Sequence, residues 1–286
     1  MLFLYRTVGD FMIKEERKIV YDEELKIEAV SFKGVHQPFT KHFHDYYVIG
    51  IMKKGNRRFI CNSRNYNIQT NNILLINPND YHECIGIEED SLDYEAIHIS
   101  KDIMSNLENE IFKSKDMVIF NKNVISDDTL LKEIERLTNL VISNDKTLEK
   151  EELFYIVLKE LLENYAAFKN VNENIMLKTK EICDYIENNY TDNITLDKLA
   201  QVGAISKYHL IRLFTKEKGI TPYKYLELYR INQAKKQLQE NNSILDISIQ
   251  CGFSDQSHFT NLFKETIGIT PKQYKKIFEE RNSNNE

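Results

Sequence analysis

The spacing of apolar residues changes character about halfway along the chain. In the first half, short runs of Val, Ile, Phe and Tyr recur at residues 46–52, 57–61, 73–77 and 96–100. Turn-forming stretches stand between them: Gly55-Asn56, Asn71-Asn72 and Asn77-Pro78-Asn79-Asp80. Short β-prone runs punctuated in this way predict strands folded into a sandwich or a small barrel. From about Ser126 the period lengthens. Leu130, Leu131, Ile134, Leu137, Leu140 and Val141 fall on helical spacing, and so do Leu153, Ile156, Val157, Leu161, Leu162 and Tyr165. They predict two amphipathic helices joined near residues 143–147. Residues 170–174 are polar, lack periodicity and predict the start of an interdomain linker. From Lys178 onward the pattern is helical.

The helical part contains a duplication. Residues 196–225 align with 245–274 at an offset of 49 without a gap, and 12 of 30 positions are identical. Gly219-Ile220-Thr221-Pro222 repeats whole as Gly268-Ile269-Thr270-Pro271, and Gly203, His209, Phe214 and Tyr225 recur as Gly252, His258, Phe263 and Tyr274. Two copies are too few for a solenoid, so this is a duplicated supersecondary unit. Each copy reads as helix, tight turn, helix. Thr195 is an N-cap, with Asp197 in the first turn of the helix dipole. Gly203 ends the short helix as a C-terminal glycine does. Ser206 caps the next helix, Gly219 stops it, and Thr221 opens a third with Pro222 at its first position.

A short helix, a turn with Gly and a second helix make a helix-turn-helix, whose second helix fits the DNA major groove. The outward positions are Lys207, Tyr208, Ile211 and Arg212 in copy one, and Gln256, Ser257, Thr260 and Asn261 in copy two. Arg, Asn and Gln make bidentate bonds to base edges. His209 and His258, which have apolar neighbours, read as packed side chains rather than base readers.

Charge supports this picture only once it is divided. The whole chain of 286 residues carries −6. Between Lys198 and Phe278 there are 13 basic and 6 acidic residues, net +7; the rest has 25 against 38, net −13. A basic module on an acidic body points to a polyanionic partner. The length suggests two domains. No secretory signal or membrane-length apolar run is evident. The four scattered cysteines form no C-x-x-C pair, which points to reduced thiols in the cytoplasm.

The run Gly252-Phe253-Ser254-Asp255-Gln256-Ser257-His258-Phe259, with Phe263-Lys264, Gly268, Thr270-Pro271 and Tyr274, resembles the DNA-binding domain of the AraC/XylS family of transcription regulators. Leu199-Ala200 and Leu213-Phe214 fit its first half. The resemblance implies seven helices in two helix-turn-helix subdomains joined by a long helix, here residues 222–239. It implies base contacts at Tyr208, Ile211, Arg212, Gln256, Ser257 and Asn261. Phosphate contacts are expected at Ser206, Lys207, Lys264, Thr270 and Lys272; Lys272 lies beside the helix start at Pro271, where free N–H groups favour phosphate. Ile211 departs from the polar types and could touch only a thymine methyl.

His42-Phe43-His44, Gly55, and the run 73–78 followed by His82 are similar to the cupin-type effector domain of many family members. His-x-His is a metal-ligand spacing in cupins, but Tyr46, Tyr47, Val48 and Ile49 stand where such sites place an acid. The expectation is therefore a small-molecule pocket of His42, His44, Arg58 and His82 at a barrel mouth, with no metal and no cofactor. The fold class expected is α+β. A cupin-like barrel or sandwich with two following helices fills residues 1–172, and an all-α domain fills 173–286, with helix-turn-helix units near 196–217 and 245–266. The function implied is that of an effector-controlled transcription regulator, an activator and not an enzyme. Its partners would be double-stranded DNA, RNA polymerase and a second copy of the chain. Two alternatives remain: a metal-dependent cupin enzyme fused to a DNA-binding domain, and a ligand-independent regulator.

Overall fold

The computed structural model describes residues 2–8, 11–87, 91–112, 118–145, 148–168, 177–240 and 242–282. The β-rich half opens with β1 (Leu2–Val8), β2 (Phe11–Asp22), β3 (Ile27–Val35), β4 (Phe39–His42) and β5 (Tyr46–Lys54). It continues with β6 (Arg57–Cys61), β7 (Arg64–Ile68), β8 (Ile73–Ile76), β9 (His82–Gly86) and β10 (Leu92–Ser100). Helix α1 (Lys101–Phe112), the short strands β11 (Val118–Phe120) and β12 (Val124–Ile125), α2 (Asp128–Ile142), α3 (Leu148–Tyr165) and β13 (Ala166–Phe168) follow. One sheet runs β1-β2-β3-β10-β5-β8-β12, a second β4-β9-β6-β7, and β11 pairs with β13.

Alternation along the strands gives the large sheet two different faces. Register aligns Ala29, Ile97, Ile49 and Leu75 across β3, β10, β5 and β8. These side chains share one apolar core with Leu130, Ile134, Leu137 and Val141 of α2 and with Leu153, Val157 and Leu161 of α3. The two amphipathic helices thus cover one face of the sheet, as their stripes require. Asp127 caps α2, accepting from the backbone N–H groups of Thr129 and Leu130. On the outer side of α3, Leu148, Tyr155 and Ile156 are exposed.

The helical half consists of α4 (Leu177–Asn188), α5 (Leu196–Val202), α6 (Lys207–Lys218), α7 (Pro222–Leu238), α8 (Ile244–Gln250), α9 (Gln256–Ile267) and α10 (Pro271–Asn282). Its starts are built from local chemistry. The side chains of Thr195, Ser206, Thr221, Ser243 and Asp255 each accept a backbone N–H three residues on. Gly219 and Gly268 end α6 and α9 in the left-handed conformation. Ile182, Leu210, Phe214 and Tyr225 are buried in the first subdomain, and Ile247, Phe259, Phe263 and Tyr274 in the second. Helix α7 packs against α4 and α6 on one side and against α8, α9 and α10 on the other.

The two turns of the repeat differ in a way the sequence does not suggest. Gly203 caps α5 in the right-handed conformation, and the left-handed residue is its neighbour Ala204. In the second copy Cys251 is the cap and Gly252 is left-handed, with φ +81°. Gly203 ends α5 as expected, but it does so without a left-handed backbone. A Cβ there would come within 3.0 Å of Ile182, so it serves close packing.

The chain divides into two compact units. One holds Met1–Phe39 and Asp45–Lys169, the other Thr40–His44 and Asn170–Glu286. The linker expected at 170–174 lies outside the described residues. Among the described residues, no helix is long and apolar enough to cross a membrane.

Candidate nucleic-acid interface and effector domain

In the helical unit, α5 and α6 form the first helix-turn-helix, and α8 and α9 the second. Most of the described side chains at the outward positions face away from the core, and Thr260 is half-buried. On α6, Lys207, Ile211 and Arg212 are exposed; on α9, Gln256, Ser257 and Asn261 are exposed. The Tyr208 side chain lies outside the described ones. Among the expected phosphate ligands, Ser206, Lys264 and Lys272 are exposed and Thr270 is half-buried. Lys207 pairs with Asp197 at 2.6 Å, so a phosphate would have to compete with that carboxylate. Thr270 and Gln273 form a reciprocal cap at the start of α10, which leaves the Thr270 hydroxyl as an acceptor for Gln273 N–H.

Arg230, in the middle of α7, ties the two subdomains together. It donates from Nε to the Tyr190 carbonyl at 2.7 Å and from a terminal nitrogen to the Asp192 carbonyl at 2.9 Å. Its guanidinium also lies over the ring of Phe253, 5.9 Å from the centroid. Tyr190 and Asp192 precede the first helix-turn-helix, and Phe253 sits in the turn of the second. One fixed side chain on a shared helix therefore limits how the two recognition helices can rotate against each other. His258 is likewise engaged: its Nε2 lies 3.1 Å from Glu227 on α7.

In the amino-terminal unit, the sheet face opposite the helices is unexpectedly polar. Glu15, Arg17 and Glu28 are buried there. Arg17 donates to Glu15 at 3.3 Å and lies over the ring of Phe32. Burial pushes its guanidinium pKa down, and Glu15 opposes the shift. His98 Nδ1 is 3.3 Å from Glu28, and its ring packs on Tyr46 with centroids 4.7 Å apart. Tyr94 completes this wall, and burial pushes its phenol pKa up. From the smaller sheet, Arg57 is buried and donates to the Val35 carbonyl at 2.7 Å.

The residues expected to line an effector pocket are placed unequally. Arg58 is exposed, on the face of β6 opposite Arg57, Phe59 and Cys61; the interior arginine is its neighbour. Strand β4 ends at His42, so His44 lies beyond it and strand alternation does not relate the two. Their rings are edge to face at 5.7 Å. His42, His44 and His82 each offer a ring nitrogen, all within 4.8 Å of one another. The Nδ1 atoms of His42 and His82 bond the carbonyls of Thr40 and Asp80, which directs each Nε2 outward. Burial pushes the His42 pKa down and so favours the neutral ring a metal would need. Imidazole nitrogens suit zinc, copper, iron or nickel. Among the described residues no carboxylate or thiol joins the three.

All four cysteines are free and buried. Burial pushes their thiol pKa values up, to about 11 in Cys84 and Cys183 and about 12 in Cys251. A thiolate nucleophile is thus disfavoured at neutral pH.

Comparison with known proteins agrees with both halves. The Helix-turn-helix domain family matches residues 199–277, and the AraC-like ligand binding domain family matches residues 25–158. The HTH-type transcriptional regulator YbfI of Bacillus subtilis is 43% identical over 231 residues, covering 80% of this chain and 84% of YbfI. The HTH-type transcriptional activator RhaS of Mannheimia succiniciproducens is 25% identical over 242 residues, covering 80% and 83%. A single-site variant of ToxT from Vibrio cholerae, in its apo form, superposes with a TM-score of 0.58 at 16% identity, covering 88% of this chain and 97% of that one. Wild-type ToxT solved with an unsaturated fatty acid bound gives 0.55 at 18% identity, covering 87% and 94%. The chain belongs to the AraC/XylS family of transcription regulators, DNA-binding proteins that carry a ligand-binding domain ahead of two helix-turn-helix units.

Proposed function

We propose that this regulator activates transcription by reading a bipartite DNA site with α6 and α9, under control of a small molecule held by the polar face of the amino-terminal sheet. The observation that carries the first part is the duplicated pair of exposed helix faces, mounted on one shared helix. Arg212, Gln256, Ser257 and Asn261 are the base readers, with Tyr208 by motif and Ile211 as an apolar neighbour. Ser206, Lys207, Lys264, Thr270 and Lys272 grip phosphates. The two recognition helices would enter successive major grooves about one helical turn apart, ~34 Å.

Base reading and phosphate grip separate by mutation. Arg212→Ala is expected to cost about 1–3 kcal/mol on the cognate duplex and to relax base choice at one position. Lys264→Ala is expected to weaken binding to every duplex alike and to flatten its salt dependence. Titration of both variants against cognate and scrambled duplexes decides. An equal loss on both duplexes for Arg212→Ala removes the base-reading role.

The polar face supplies donors, acceptors and rings on several strands: Arg17, Arg57, Glu28, His98, Tyr46 and Tyr94. Such a mixture suits a small polar effector better than a purely apolar one. A second reading, a metal-dependent cupin activity, is favoured by the three imidazoles of His42, His44 and His82. Metal analysis of the purified full chain and of its His82→Ala variant tests it, since bound metal must disappear with the ligand.

Regulators that read bipartite sites gain avidity from pairing, and we place the homodimer contact on the outer side of α3. Tyr155 and Ile156 are 46% and 51% exposed there. Ile156→Lys is expected to shift the sedimentation coefficient to that of a monomer. A folded variant that stays dimeric removes α3 from the interface. The bound dimer then presents the remaining protein surface to RNA polymerase.

A further inference from the structure

Glu227 stands on α7 with only 8% of its surface exposed, an unusual place for a carboxylate. Its two oxygens have different partners. Oε1 lies 3.1 Å from Nε2 of His258, and Oε2 lies 3.7 Å from the Lys224 ammonium. Tyr223 and Arg230 are both close enough to interact with the charge of the same carboxylate. His258 belongs to α9, directly after Ser257 and three residues before Asn261. Its backbone N–H is taken by the cap residue Asp255 at 2.7 Å, and its ring stands edge-on to Phe253 at 5.8 Å. The first recognition helix has no such arrangement. His209, the equivalent of His258, is exposed, and among the described residues its ring has no carboxylate partner.

We propose that Glu227 is a positioning residue for DNA recognition: it holds the His258 imidazole and thereby fixes how α9 presents Gln256, Ser257 and Asn261 to the groove. The physical case rests on where the pair sits. Helix α9 can roll about its own axis while keeping Phe259 and Phe263 buried, and a small roll moves outward side chains by the ångström that separates a bidentate base contact from none. A contact at the first turn of α9, anchored to a helix shared by both subdomains, opposes that roll where the readers are. His258 is thus used by the protein rather than by the base pairs. The Glu227 carboxylate is the contact of the His258 ring nitrogen on α7, and Asp255 holds the backbone of the same turn.

The test is a double-mutant cycle on the full-length chain. The probe is the duplex that the wild-type chain enriches from a random-sequence pool, with affinities measured at one pH and ionic strength. Glu227→Gln and His258→Gln should each weaken binding about fivefold, the scale of one hydrogen bond. The double variant should be no weaker than either single one. Binding to a scrambled duplex should change little, because phosphate contacts are untouched. Losses that multiply in the double variant, or that are as large on the scrambled duplex, overturn the proposal. If Glu227→Gln fails to fold, His258→Gln alone decides by the same contrast between the two duplexes.

Discussion

Gly252→Ala should lower the thermal midpoint of the helical unit by about 10 °C or more and abolish binding to the bipartite site at temperatures where the wild-type chain binds. Two independent costs combine at this position. Its φ is +81°, in the left-handed region where a Cβ is strained by about 1–2 kcal/mol. The added Cβ would also stand 2.8 Å from the Thr191 carbonyl oxygen and 2.8 Å from a terminal nitrogen of Arg230. The carbonyl is backbone and cannot swing aside. Relief must come from moving Arg230 or the loop before α5, and either movement weakens the bonds from Arg230 to Tyr190 and Asp192. Forcing atoms into such a packed site adds about 1–3 kcal/mol. A total near 3 kcal/mol, for a domain of this size, gives the shift stated. Scanning calorimetry of the full chain would resolve the helical transition from that of the amino-terminal unit. Gly203→Ala is the comparison. Its right-handed φ and its neighbours, the side chains of Ile182 and Ile205 rather than backbone, should limit the change to a small fraction of the other. Equal shifts for the two variants would show that the left-handed geometry at Gly252 does not matter.

The contrast between those glycines marks where sequence reading stops. The helical half was legible because helix starts and stops are local events. Thr195, Ser206 and Thr221 cap as their types suggest, and Pro222 opens α7. The repeat then supplied the second subdomain from the first. What the repeat could not supply is the difference between its copies: the left-handed residue shifts from Gly252 in one to Ala204 in the other, and Glu227 braces only α9. A carboxylate on a polar-looking helix position reads as solvated until its neighbours are known. The amino-terminal unit hid more. The run Lys14-Glu15-Glu16-Arg17-Lys18 reads as exposed charge, yet Glu15 and Arg17 are buried against each other on one side of β2. Burial of such a pair depends on strands that lie far apart in sequence. Arg57 was within reach of the sequence alone. Phe59 and Cys61 share its side of β6 by simple alternation, and that pattern selects Arg57 rather than Arg58 for the interior.

The same unit holds the chain's most deeply buried cation–carboxylate pair among the described residues, and its removal should be costly. Lys150, on the first turn of α3, is 1% exposed. It donates to Asp22 at 2.6 Å, to Glu24 at 2.7 Å and to the Asp145 carbonyl at 2.7 Å. One ammonium on the first turn of α3 therefore pins the β2–β3 turn and the Asp145 carbonyl of the α2–α3 junction together. Asp22 is itself 2% exposed and also accepts the backbone N–H groups of Glu24 and Leu25. Lys150→Met keeps most of the stem volume but leaves that carboxylate buried without its cation. Removing one partner of such a pair costs about 3–5 kcal/mol. The two backbone donors that remain to Asp22 place the expectation at about 3 kcal/mol, towards the lower end. Adding Asp22→Asn should recover much of the loss, because a neutral amide no longer needs the ammonium. The pH dependence has a defined sign. Burial alone would lower the pKa of Lys150, but hydrogen bonds and charge from Asp22 and Glu24 outweigh it and hold the pKa above the ordinary lysine value. A pKa raised in the folded state contributes stability that is complete below the unfolded value of about 10.4 and is lost as pH rises through the folded one. The gap between wild type and Lys150→Met should therefore stay level from pH 6 to 9 and narrow only above about pH 10. Hydrogen exchange over residues 21–27 and 149–154 reads this locally, apart from the helical unit. Unchanged protection of both segments in Lys150→Met would mean that the apolar face of α3 alone holds the helix to the sheet.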